Sequence, residues 1–321
     1  MTNTASGNIT PQIRNERSLP YTPCELEFPV ERNPFESLAL DLTYRCNMRC
    51  NFCYNPERTW ADMRLAYFEE ICNRLPQKVT FKFTGGEPAL HPQFFDFLKI
   101  AVQYGHKNFV ATNGLILNDR RFMDRLSCFS IPLSIGLSFD GGYSGNDIYK
   151  YITGIDCLDS KLKAFNNLKE YKTGRVSLSA IIIRGLNERV ISELLELADK
   201  HKDFVRHIHF RGAGRLGRWQ DTKTYNITEL KQLVGQHFSE KQFQPKCIGE
   251  IHCKPEEGRD CCYRFRPTSR LQISLIDFAS PDSCRCLKRG KLVDRKFLVQ
   301  SFFEQMIKNA TRLKTKISSH A

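Results

Sequence analysis

The sequence predicts an α/β fold in which six strands build a parallel sheet covered by helices. Two observations carry this. Between residues 38 and 210, apolar runs of strand length alternate with segments of helical period, and parallel sheets are built from such alternating units because each strand needs a crossover helix to return it to the same direction. The chain is 321 residues long, which leaves room for a sheet of about 180 residues and a further region of roughly a hundred.

The strands fall at residues 38–42, 79–83, 108–112, 133–139, 176–183 and 205–210. All are short apolar runs, as strands covered on a face by helices should be. Helical periodicity is expected over residues 63–75, 94–104, 122–127, 162–171 and 190–201. In the last of these Val190, Ile191, Leu194, Leu195 and Ala198 share one face, the stripe that packs on a sheet.

Just beyond the first strand the chain reads Cys46-Asn47-Met48-Arg49-Cys50-Asn51-Phe52-Cys53. An ordinary 4Fe-4S cluster takes four thiolates; three in so tight a loop cap three irons and leave one for an exogenous ligand. A structural zinc site would bring paired CxxC motifs or Cys/His pairs, and the nearest following histidine is His91. Three further motifs close successive strands: Thr84-Gly85-Gly86-Glu87-Pro88, Thr112-Asn113-Gly114 and Ser138-Phe139-Asp140-Gly141. Each alone reads equally as a turn; their order after the cysteine loop is what gives them joint weight.

This set resembles the radical S-adenosylmethionine (SAM) family, with its CxxxCxΦC loop, Φ here being Phe52. The resemblance implies a partial (β/α)6 TIM-type barrel with its active site at the C-terminal strand ends. It implies that Cys46, Cys50 and Cys53 hold a 4Fe-4S cluster and that SAM chelates the open iron. Gly85, Gly86 and Glu87 would meet the methionyl amino group. Thr112 and Asn113 belong to the turn after the third strand, Ser138 and Asp140 would face the ribose and carboxylate, and Ile182, with Ile183, would pack on the adenine. Reductive cleavage of SAM would then give a 5'-deoxyadenosyl radical that abstracts a substrate hydrogen, with a flavodoxin- or ferredoxin-type protein as reductant.

The appended region holds Cys247, Cys253, Cys261, Cys262, Cys284 and Cys286, six of the thirteen cysteines. It resembles the C-terminal auxiliary-cluster modules of the same family, the two-cluster SPASM type or the one-cluster twitch type, and six thiols favour one cluster. The preferred ligands are Cys253, Cys262, Cys284 and either Cys286 or Cys247; a structural zinc site from the same thiols, with His252, is the alternative. The scattered Cys24, Cys72, Cys128 and Cys157 read as buried apolar thiols. The expected division is an N-terminal extension, 1–34, a barrel, 35–218, and a C-terminal auxiliary-cluster module, 219–321.

The run Cys262-Tyr263-Arg264-Phe265-Arg266 resembles, with different spacings, the auxiliary-cluster segment of the GTP-converting synthases of molybdenum cofactor assembly, which implies that Arg264 and Arg266 hold an anionic group. Arg211 and Arg215, in the glycine-rich exit from the sixth strand, are candidates for a carboxylate or phosphate. His207 and His209 share a strand face and read as structural or ligand-binding.

Residues 1–34 are polar and contain no apolar run fit for a signal peptide or a membrane span, so a cytoplasmic location with reduced thiols is expected. The formal charge is +13. The stretch from Leu287 onward contributes nine Lys or Arg against Asp294 and Glu304, and its apolar positions suit a closing helix with solvated lysines. Without an aromatic platform or groove-reading motif, nucleic-acid binding is disfavoured. On family habit the expected substrate is a ribosomally made peptide; a small anionic metabolite or nucleotide is the alternative, and a non-catalytic metal-bearing nucleic-acid binder is the reading from another class.

Overall fold

The computed structural model describes residues 26–55, 58, 61–128, 133–214, 218–221, 223–238, 262–276 and 290–293. In chain order these contain β1 (Leu26–Phe28), β2 (Ser37–Thr43), α1 (Leu65–Arg74), β3 (Thr80–Gly85), α2 (Phe94–Gln103), β4 (Lys107–Thr112), α3 (Arg120–Ser127), β5 (Leu133–Ser138), α4 (Asn146–Thr153), α5 (Leu158–Glu170), β6 (Arg175–Ile182), α6 (Val190–Lys200), β7 (Val205–Gly212), α7 (Ile227–Gly235), β8 (Cys262–Phe265), β9 (Gln272–Ile276) and β10 (Gly290–Leu292).

The six expected strands are β2 to β7, and they lie side by side in sequence order, all parallel. Helices fill the crossovers, so this is the α/β partial barrel that the strand rhythm and the motifs implied. The sheet does not stop at β7. Residues 262–276, expected in the appended region, extend it: β9 pairs parallel with β7, and β8 pairs antiparallel with β9 at the outer edge. β1 and β10 form a separate two-stranded parallel pair.

Period-2 alternation sets the two faces of the sheet. On β3, Phe81 and Phe83 are buried toward the helices, where the Phe68 ring of α1 lies 4.8 Å and 5.6 Å from them. Phe97 of α2 closes the same cluster, 5.1 Å from Phe68. Near-perpendicular and tilted ring contacts of this kind add to the area they bury. The opposite face is polar: Asp41, Thr84, Ser138, Ser179, His207 and His209 occupy alternate positions on their strands and are half-buried. That polar face and the loops above it are where a ligand can be met.

Helix boundaries depart from expectation in instructive places. α5 starts at Leu158 rather than Leu162, which brings Lys161 onto its buried face beside Ala164, Phe165 and Leu168. Two helices were not anticipated. α4 ends on Gly154, whose φ of 78° provides a left-handed terminus. α7 opens with a capping box in which Asn226 accepts from the Glu229 amide and Glu229 accepts from the Asn226 amide.

Cys72 and Cys157 are buried, as expected of apolar thiols; Cys128 is exposed, because it is the C-cap of α3 where that helix ends at the surface. Cys24 lies outside the described residues. Among the described residues, no helix is long and apolar enough to cross a membrane.

Phe68 touches both inner aromatic positions of β3 and is fully buried. Phe68→Ala should therefore cost about 3–5 kcal/mol, read as a lower urea midpoint with an unchanged denaturant slope; a loss below about 1 kcal/mol would mean that the cluster repacks around the gap.

Candidate active site

The cysteine loop leaves the C-terminal end of β2 and is tied down on three sides. The Arg49 and Asn51 amides donate to the Thr153 and Ile152 carbonyls of α4 at 3.1 and 2.7 Å. Arg58 donates from Nη1 to the Cys46 carbonyl at 2.6 Å and from Nη2 to the Met48 carbonyl. The Arg218 amide donates to the Cys53 carbonyl at 3.0 Å. Met48, itself buried, packs with Tyr149 and Cys157 beneath Cys46 and Cys50. These ties fix the loop backbone while all three thiols remain partly accessible.

The glycines of the next motif are required by close approach. A Cβ on Gly86 would lie 2.2 Å from the Arg45 carbonyl oxygen and one on Gly85 2.3 Å from that of Thr43; Gly85 also has φ of 120°, a conformation open to glycine. The approach is held by the Gly86 and Glu87 amides, which donate to Thr43 and Arg45 at 2.7 and 2.8 Å. The second motif thus grips the stem of the cysteine loop.

Glu87 is placed differently from expectation. Its side chain is 0% exposed. Oε1 accepts from Thr112 Oγ1 at 2.8 Å and the Ala89 amide at 3.3 Å, and Oε2 accepts from the Asn113 amide at 2.8 Å. Burial pushes its carboxyl above the usual range, opposed by those three donors and by Lys161. Glu87 is therefore the internal tie between the turns after β3 and β4. Thr112, also buried, accepts from the Gly114 amide at 3.0 Å. Asn113 reaches the cysteine loop, with Nδ2 2.7 Å from Asn47 Oδ1 and 3.8 Å from Cys46 Sγ.

Asp140 closes the end of β5 onto β6: its Oδ1 accepts from the Ile181 amide at 2.9 Å. Burial raises its pKa, and Lys161 and Arg211 work against that rise. Ile182 is corrected. It is fully buried in the main core, on the helix side of β6, because strand alternation turns its neighbour Ile181 to the open face. Phe52 packs into a small apolar cluster with Ile152, Ile183 and Trp219. Ser138 turns its hydroxyl to Lys161, 2.9 Å away.

Lys161 was missed by sequence reading. It is 0% exposed, and its Nζ donates to the Asn113 carbonyl at 2.5 Å, the Ser138 carbonyl at 2.9 Å and the Ser138 hydroxyl. The available signal was a lysine three and four residues before Ala164 and Phe165, in the apolar stripe of a helix. Tyr54 was also missed; it is 56% exposed beside Cys53, with its hydroxyl 3.3 Å from Thr84 Oγ1, which in turn donates to Asp41 at 2.9 Å.

On the open face of β7 the rings of His207 and His209 lie 3.8 Å apart. His207 Nε2 is 2.5 Å from Ser274 Oγ and 3.3 Å from Gln272 Nε2, and Arg266 Nη2 is 3.5 Å from Gln272 Oε1. Arg211 follows on the same face and is coupled electrostatically to Asp140 and Tyr54. Cys262 and Arg264 lie on β8, but their side chains are outside the described residues, as are Arg215, Cys247, Cys253, Cys284 and Cys286.

Cys46, Cys50 and Cys53, three partly accessible thiols on one tied loop that act on one another electrostatically, are the soft donor set that an iron-sulfur cluster takes. Burial, and then the Asp140 charge, push Cys50 up to about 12, and burial also raises Cys46. Metal binding at thiols held in this protonated form releases their protons.

Two outcomes test this construction. Gly86→Ala should leave the far-ultraviolet circular dichroism intact yet cut iron uptake on anaerobic reconstitution several-fold, since backbone rather than a side chain blocks the added methyl; full loading would show that the loop stem yields. Thr112→Val should cost about 1–3 kcal/mol by removing a donor from a buried carboxylate, measured as a lowered thermal midpoint of the apoprotein.

Residues 40–198 match the Radical SAM superfamily. Over 224 residues the chain is 27% identical to a 7,8-dihydro-6-hydroxymethylpterin dimethyltransferase of Methanocaldococcus jannaschii, covering 64% of this chain and 43% of that protein. It is 25% identical over 289 residues to a GTP 3',8-cyclase of Staphylococcus aureus, covering 81% of this chain and 76% of that one. Among solved structures, Streptococcus suis SuiB bound to the precursor peptide SuiA superposes with a TM-score of 0.54 at 18% identity, over 66% of this chain and 46% of that chain. The chain thus spans less than half the length of the first curated relative and of this structural neighbour. With the cysteine loop, the strand-end motifs and the parallel sheet in the expected order, residues 40–198 form a domain of the radical SAM superfamily, whose members are enzymes that use a 4Fe-4S cluster and SAM.

Proposed function

We propose that the enzyme acts on a small anionic metabolite built on a 2-amino-4-oxopyrimidine ring, as guanine nucleotides and pterins are. The observation that carries this is the polar wall of β7 and β9, where His207, His209 and Gln272 line one face, Ser274 is buried against His207, and Arg211 and Arg266 stand at the ends. Amide and imidazole groups can meet such a ring with both donors and acceptors, and guanidinium groups suit a phosphate or carboxylate. The names of the curated relatives support the same class, since GTP and the hydroxymethylpterin share that ring. The ribosomally made peptide expected on family habit has a counterpart in the peptide-bound SuiB, but a likeness at 18% identity speaks for the fold alone.

In this reading Cys46, Cys50 and Cys53 hold the cluster, and the strand-end turns of Gly85, Gly86, Thr112, Asn113 and Ser138 frame SAM, with Glu87 and Asp140 bracing them. When bound, the cluster and SAM supply a hydrogen-abstracting carbon radical; the chain's own work is to orient the target C–H and exclude water. A cytoplasmic flavodoxin- or ferredoxin-type reductant supplies the electron, and the +13 charge suits an acidic partner. The C-terminal thiols, with Cys253, Cys262, Cys284 and Cys286 or Cys247 as ligands, hold an auxiliary cluster at the β8 edge of the sheet, where Cys262 begins the strand.

The deciding assay is anaerobic reconstitution followed by 5'-deoxyadenosine release after reduction, with GTP, a dihydropterin and candidate peptides offered separately. Stimulation of at least tenfold by a compound carrying the ring is expected; stimulation by peptide alone would overturn the substrate class. Iron per chain should reach about eight with two four-iron clusters, whereas about four, with zinc, would assign the C-terminal thiols to a structural site.

A further inference from the structure

Lys161 is a cation in a place where a cation is costly. Its side chain is removed from water, and an unpaired ammonium there would favour losing its proton. Burial holds its pKa below the usual lysine value, Asp140 is the largest influence in the opposite sense, and three oxygens of Asn113 and Ser138 accept hydrogen bonds from its Nζ. The Tyr149 ring lies 5.8 Å from its Nζ. A helix that needed only to fill this space would carry an aliphatic residue, as it does at Ala164 and Leu168.

The position of Lys161 joins three parts of the site. Asn113, whose carbonyl it holds, contacts the cysteine loop through its amide. Ser138, which it holds twice, ends β5 two residues before the buried Asp140. The Cys50 thiol lies within its electrostatic reach.

We propose that Lys161 is a positioning residue of the radical centre: its ammonium locks the ends of β4 and β5 into the geometry that receives SAM, and its buried positive charge raises the affinity of the neighbouring cluster for an electron. The inference rests on membership of the superfamily and not on the substrate class. Reduction adds a negative charge to the cluster, and a unit charge at roughly 10 Å in a medium of effective dielectric near 20 shifts such an equilibrium by about tenfold or more.

The test compares Lys161→Met, which removes both charge and hydrogen bonds, with Lys161→Gln, which keeps donors and removes the charge. In reconstituted protein of matched iron content, both should reduce less readily by about tenfold, a shift of about 59 mV to more negative potential for one electron, followed by electron paramagnetic resonance during a redox titration. SAM affinity should fall about tenfold in the Met variant and stay within about threefold of wild type in the Gln variant. An unchanged potential in both variants overturns the electrostatic role, and an unchanged SAM affinity in the Met variant overturns the positioning role. If neither variant takes up iron while circular dichroism shows the fold retained, Lys161 serves only to build the loop and the tuning of the potential is overturned.

Discussion

The site depends on a steric constraint: the turn after β3 must lie flat against the turn after β2. Two backbone hydrogen bonds hold it there, and both glycines face carbonyl oxygens at distances that no Cβ tolerates. Cys46 follows Arg45 directly, so the orientation of the cysteine loop is inherited from this contact. Glu87 then transmits it sideways, because its carboxylate is bonded to Thr112 and Asn113 at the end of the next strand. A chain of short-range contacts between adjacent strand ends thus builds the rim of the barrel without any single residue spanning it.

Electrostatics is the second organising feature. Two carboxylates, Glu87 and Asp140, are buried under the rim, together with thiols that burial makes poor anions. Lys161 and Arg211 act against this accumulation of negative charge. Buried charges persist where they are paired and hydrogen-bonded, and here the pairing crosses elements: a helix lysine answers strand-end acids. The same groups that hold the rim together therefore define its potential.

The strands and most helices were legible in the sequence because period and length are properties of contiguous residues. β8 and β9 were not read as part of the sheet, since a strand's partner is decided by tertiary contact and the cysteines around them drew the reading toward a separate metal module. α7 was overlooked although Asn226 and Glu229 announce it; its capping box is a three-residue signal beside a loop rich in polar residues. In the site, the motif glycines and cysteines lie together at adjacent strand ends, whereas Glu87, Phe52 and Ile182 took different surroundings from those expected, because a motif names a residue without saying which way its side chain turns. Lys161 escaped because lysine within a helix is ordinarily solvated, and only its position in the apolar stripe gave it away.

The late arrival of β9 has a consequence for how the molecule is made. A strand at the end of a sheet exposes a row of unsatisfied amides and carbonyls that can pair with another chain. During synthesis β7 is complete some sixty residues before Gln272 is added, so the barrel spends that interval with its growing edge uncovered. Contacts so distant in sequence are slow to close, and chains with open strand edges are aggregation-prone while they wait. The segment 262–276 therefore doubles as the edge guard of the catalytic sheet, which ties the yield of folded enzyme to a part of the chain far from the cysteine loop.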